Sequence, residues 1–77
     1  MAENDFEMIA VSSSQVASVG YNDTTHQLRV EFVHKGSLYE YEGVPRDVFD
    51  QLVSAASVGQ TFAALVKNGG YAYRRIG

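Results

Sequence analysis

The chain has 77 residues, no cysteine, and 6 lysines and arginines against 9 acidic residues, for a net charge of −3. A chain of that length makes one small domain with a thin core. With 45% hydrophobic and 19% charged residues it is too apolar for intrinsic disorder and too mixed to span a membrane. Without cysteine there is no disulfide, thiolate zinc site or cysteine nucleophile, and the acidic balance argues against a general nucleic-acid or membrane-surface binder.

Residues 1–8 read as a loose leader before a single domain over 9–77. The acids Glu3, Asp5 and Glu7, with no lysine or arginine beside them, carry the wrong charge for a secretory or mitochondrial address, so a soluble, cytoplasmic protein is expected. Val16 to Tyr21 has the pattern of a short strand, and Asn22-Asp23-Thr24-Thr25 that of a turn. His26 to His34 is the clearest strand, with Leu28, Val30 and Phe32 alternating with Arg29 and Glu31. Lys35-Gly36 predicts a tight two-residue turn, with Gly36 free to take positive φ, and Ser37 to Gly43 returns as the third strand.

After Pro45 the hydrophobic period changes. Pro45 suits the first position of a helix, whose N–H would be unpaired there in any case. Val48, Phe49, Leu52, Val53 and Ala56 then form an apolar stripe at helical spacing. Ser57-Val58-Gly59-Gln60 has the form of a capping box opening a second helix, with Phe62, Leu65 and Val66 on its inner face. Lys67-Asn68-Gly69-Gly70 ends that helix, with a cation for the last turn and glycine for a left-handed cap. Tyr71 to Ile76 is either a short fourth strand or an extended tail. The expected fold is α+β: a three-stranded antiparallel meander followed by two helices packed on one sheet face.

A two-residue turn at Lys35-Gly36 sets Phe32 opposite Tyr39, Val30 opposite Tyr41 and Leu28 opposite Gly43, so both tyrosines share the apolar face. A first hairpin closed by residues 22–25 sets Val19 opposite Leu28 and Ala17 opposite Val30. The other face then carries Arg29, Glu31, Glu40 and Glu42, with Val33 and Leu38 at its end. Arg29 meets Glu42 there and Glu31 faces Glu40; such like charges in register predict a wet surface.

Ser12-Ser13-Ser14, Val19-Gly20-Tyr21, the tyrosine pair Tyr39-Glu40-Tyr41, the following Val44-Pro45 and Phe62 together resemble the KTSC family. These are small domains named after a C-terminal extension of some lysyl-tRNA synthetases and also found free-standing in bacteria and phages. The likeness runs from about Ser12 to Tyr73. It implies that Tyr21, Tyr39, Tyr41, Val44, Pro45 and Phe62 are family positions with structural roles. It also suggests RNA binding, through the attachment to a tRNA synthetase. No synthetase catalytic region is present, so the resemblance implies no aminoacylation.

Lys67, Tyr71, Tyr73, Arg74 and Arg75 lie together in a stretch, residues 65–77, that contains no acid. They are the candidate RNA-binding set, with tyrosines to stack on bases and cations for phosphates. The alternative is a protein-interaction module, through self-association or a partner protein, using Glu31, Val33, Leu38, Glu40 and Glu42 on the acidic face or an open sheet edge. Catalysis is not expected: Ser12, Ser13 and Ser14 have no placed base, and Glu40 and Glu42 lie on a flat sheet without a cleft. His26 and His34, roughly 27 Å apart along one strand, cannot share a metal, and no cofactor or small-molecule substrate is expected.

Overall fold

The computed structural model describes residues 8–77. The leader expected at residues 1–8 therefore falls, but for Met8, outside the described residues. Five strands, β1 (Ile9–Ala10), β2 (Val16–Asn22), β3 (Gln27–Phe32), β4 (Leu38–Tyr41) and β5 (Tyr73–Arg75), pair antiparallel with their neighbours in chain order. Helices α1 (Arg46–Ser54) and α2 (Val58–Leu65) are inserted between β4 and β5. The expected α+β meander is present, with a short strand added at each edge. No helix among the described residues is long and apolar enough to cross a membrane.

Both hairpin registers differ from expectation by two residues. Leu28 pairs with Tyr41 and Val30 with Tyr39, while Tyr21 pairs with Leu28 and Val19 with Val30. The first loop keeps its four residues but sits one position later, at 23–26, and the second has four residues where the motif suggested two. The Phe32 amide already bonds the Ser37 carbonyl at 2.8 Å, so residues 33–36 form the second turn, and both Lys35 (φ 63°) and Gly36 (φ 61°) are left-handed. In the first turn the His26 amide bonds the Asn22 carbonyl at 2.8 Å, and His26, expected to begin a strand, is instead a turn residue at φ 59°. A two-residue shift leaves every side chain on its original face because the strand period is two. The facial assignment therefore holds although each cross-strand pair changes.

The helix-side face carries the core. Val16, Val19, Leu28 and Val30 are fully buried together with Val44, Leu52 and Val66. Val16 and Val19 share this face despite an odd separation because the β2–β3 register is irregular between Val16 and Ser18, a bulge that takes up the extra residue. In α1 the inner stripe is Val48, Phe49 and Leu52. Val53 and Ala56, expected to extend it, are exposed: Val53 lies within the helix but on the flank of the stripe, and Ala56 falls beyond the helix end at Ser54. Pro45 stands just outside α1 as an extended N-cap rather than as its first helical residue. Ser57 caps α2 as the capping box anticipates, its hydroxyl accepting from the Gln60 amide at 3.5 Å. Gly70 closes the turn after α2 with φ 77°.

Candidate functional site

α1 lies over β2, where Phe49 stacks on Tyr21 with ring centroids 5.5 Å apart. The Tyr21 hydroxyl donates to the Val44 carbonyl, tying two of the family positions together in the core. α2 lies further across the sheet, and Phe62 meets Phe32 at 5.4 Å and Tyr41 at 5.7 Å, both edge to face. Beyond α2 the sheet face is uncovered: all of β5 is exposed and Tyr73 retains 64% of its surface. Between α2 and β4–β5 runs an open groove of about 660 Å³.

The groove is walled by rings from four elements and the loop before β5: Phe32, Tyr39, Tyr41, Phe62, Tyr71 and Tyr73. Tyr39 and Tyr41 are neighbours of Tyr73 at centroid distances of 6.1 and 5.4 Å. Tyr41 forms part of the floor, only 6% exposed. Its hydroxyl makes no hydrogen bond to another described residue, so the polar end of a nearly buried ring opens into the groove. Burial, reinforced by the Tyr73 and Tyr39 phenols, pushes the Tyr41 pKa up to about 12, so this hydroxyl is neutral at any physiological pH. Gly69 makes room for Tyr71, whose ring would lie 2.7 Å from a Cβ at that position. His34 and Lys67 stand at the rim, and among the described residues no aspartate or glutamate lines the groove.

The opposite sheet face is a polar ladder with a buried centre. Glu40 is 2% exposed, its Oε2 held by Arg29 Nε at 3.0 Å and its Oε1 by Arg74 Nη2 at 3.0 Å. Gln27 Nε2 bridges Glu40 Oε1 (3.4 Å) and Glu42 Oε2 (2.9 Å), and Ser18 donates to Glu31 at 2.9 Å. Burial alone would raise the Glu40 pKa, but hydrogen bonds and charges from Arg29 and Arg74 outweigh it and hold the carboxyl below its ordinary value. The expectation of a wet acidic face with Arg29 meeting Glu42 and Glu31 facing Glu40 is thus corrected. The two-residue register shift puts Arg29 opposite Glu40 and Leu38 opposite Glu31, and β5 brings a second guanidinium onto the same carboxylate.

The candidate RNA-binding residues do not all share one surface. Tyr71, Tyr73 and Lys67 line the groove, and Arg75, paired with Tyr39 across the strands, lies on the same side with Nε donating to the Gly77 carbonyl at 3.0 Å. Arg74 points to the other face, onto Glu40. Phe32, His34, Tyr39, Tyr41 and Phe62 join the groove, whereas the sequence put His34 at a strand end and favoured core packing for the four aromatic residues. The i, i+2 spacing within Tyr39–Tyr41 and within Tyr71–Tyr73 was the available signal, but not that the two pairs lie side by side. Of the alternative interaction set, Val33 is 53% exposed in the turn after β3, Leu38 is half-buried, and Glu40 is sequestered. No group of three or more metal-ligating side chains occurs among the described residues. Two arginines hold Glu40 ionised, which takes it out of use as a proton donor.

The model of the KTSC domain family matches residues 12–73. A protein of Stutzerimonas stutzeri described as uncharacterized is 41% identical over 68 residues, spanning 88% of this chain and 94% of that one. A lysine–tRNA ligase of Nostoc is 35% identical over 71 residues, covering 92% of this chain but 12% of the ligase. A crystal structure of a KTSC domain protein from Yersinia pestis superposes with a TM-score of 0.86 at 35% identity, over 94% of this chain and 99% of that one. The tyrosines at 21, 39 and 41, Val44-Pro45 and Phe62 thus stand in a fold shared along nearly the whole chain, and the chain belongs to the KTSC domain family.

Proposed function

We propose that this domain is a non-catalytic module that binds single-stranded RNA along the aromatic groove. Bases stack on Tyr71 and Tyr73, and phosphates are met by Lys67 and Arg75. The observation that carries this reading is a tyrosine cluster, with Tyr73 exposed and Tyr39 and Tyr71 partly so, beside Lys67 in a groove whose described lining residues include no carboxylate. The net charge of −3 does not oppose it locally, because Glu31, Glu40 and Glu42 belong to the opposite sheet face. The related segment within the Nostoc lysine–tRNA ligase supports the same direction, without carrying the ligase's own activity to this chain.

The test is an NMR titration of labelled protein with unstructured RNA and with tRNA at low and at physiological salt. Shifts localised to residues 67–75 that persist near physiological salt are expected. Tyr73→Ala should weaken binding about tenfold, since stacking on an aromatic contributes about 1–3 kcal/mol per base. Lys67→Ala should flatten the salt dependence by about 0.7 in the log–log slope, the effect of losing one phosphate contact on a single strand. Arg74→Ala, on the far face, should change neither as much. Absence of shifts even at low salt removes the reading. The turn exposing Val33 then becomes the surface to use as bait for a protein partner.

A further inference from the structure

We infer that the groove is a pocket for one unpaired nucleobase, seated against Tyr39 and Tyr73, with its polar edge hydrogen-bonded by the Tyr41 hydroxyl and its phosphate facing Lys67. This rests on the RNA reading and specifies what the groove takes. A volume of about 660 Å³ falls in the range of small-ligand sites, roughly 300–1,000 Å³. The walls supply π-faces, which suit any planar ring, whereas a cluster of rings also suits a quaternary ammonium. Charge decides between the two: among the described residues the groove is lined by Lys67 and by no carboxylate, so a cation meets repulsion and an anionic nucleotide does not.

The floor points the same way. Tyr41 is 94% buried, and its hydroxyl has no partner among the described residues although it opens into the groove. No buried side-chain oxygen or nitrogen among the described residues lacks a partner, so the Tyr41 hydroxyl keeps its access to solvent through the groove, and a purely apolar occupant would cover it without replacing that contact. The edge of a base offers both donors and acceptors, and a phenol kept neutral by its raised pKa can serve as either. Fixing the partner at the floor lays the base against the outward faces of Tyr39 and Tyr73, whose own ring centroids lie 6.1 Å apart, while Lys67 at the rim meets the backbone as the strand leaves.

The test compares a short single-stranded RNA with an abasic strand of the same length, both titrated into the full chain. The RNA should shift the ring resonances of Tyr39, Tyr41 and Phe62, and the abasic strand should not. Tyr41→Phe should weaken binding of the RNA by about 3–10-fold, the effect of one hydrogen bond, while its melting temperature stays at or above that of the parent, because the hydroxyl bonds nothing in the fold. A fluorescent purine analogue placed in the strand should be quenched on binding to the unaltered protein, a readout independent of any variant. If RNA binds but the abasic strand binds equally, Tyr41→Phe is neutral and the analogue is not quenched, the pocket is overturned and the RNA reading stands on phosphate contacts alone. If no RNA binds, both fall together.

Discussion

Glu40 answers to two arginines at once, and the pair is unequal. Arg29 is 34% exposed and Arg74 69%, whereas the carboxylate is 3% exposed. Removing the buried partner costs two charge-assisted hydrogen bonds but strands no buried charge, because both guanidinium groups reach water, so Glu40→Ala should cost about 1–2 kcal/mol in denaturant unfolding. Removing the exposed partner, Arg74→Ala, should cost less than about 1 kcal/mol. The depressed pKa of Glu40 fixes the sign of its pH dependence. Its contribution is complete above the unfolded carboxylate pKa, about 4, and disappears as pH falls through the lower folded value. Glu40→Gln should therefore unfold less steeply with acid than the parent. The Tyr41 phenol acts at the other end of the scale. With its folded pKa at about 12, it favours the folded state below about pH 10, and that preference is lost as pH rises toward 12. Tyr21→Phe tests a different hydroxyl: it leaves the Val44 carbonyl without its donor in the core, and should cost about 1–2 kcal/mol.

At the scale of elements, the capping box and the Asn68-Gly69-Gly70 stop set the limits of α2 within a residue or two, because a cap is a local hydrogen-bond problem that neighbouring residues solve. Ser57→Ala should destabilise the domain by about 0.5–1 kcal/mol, checked by thermal melting, since the cap bond is long at 3.5 Å. Register was less legible. Lys35-Gly36 reads as a turn in isolation, yet the Val33 amide bonds the Gln15 carbonyl at 2.9 Å, and that contact with the start of β2 draws Val33 out of the hairpin. The neighbour that decides the matter lies eighteen positions away in the chain. β1 left no trace because its Ile9–Ala10 pair is too short to show a period and owes its form to β2 alone.

For the whole molecule, the sheet separates what the sequence mixes. Alternation along β3, β4 and β5 sends tyrosines to one side and the acids of these strands to the other, so a chain of net negative charge presents a groove with no acid among its described lining residues. The basic and aromatic residues of the last segment were visible as a linear cluster. Their division by strand parity was not, because that required knowing that 73–75 pairs with 39–41. The groove itself was hidden for the same reason: it exists where α2 stops short of a strand whose presence the tail left open. Tyr71 and Tyr73 alone gave its outer wall, and Tyr39, Tyr41 and Phe62, read as core, turn out to give its floor.

The insertion of both helices between β4 and β5 separates the last strand from the rest of the sheet along the chain. Its docking closes a long loop for a three-residue edge strand that is exposed throughout. That strand should be the first part of the sheet to detach in native-state fluctuations, with amide exchange faster than in β2 and β3 and governed by a sub-global opening rather than by complete unfolding. Since β5 carries Tyr73, the outer wall can swing aside while the Leu28–Val30–Leu52 core stays closed. A ligand held against that wall would slow exchange at Ala72 to Arg75 before it changed protection anywhere else.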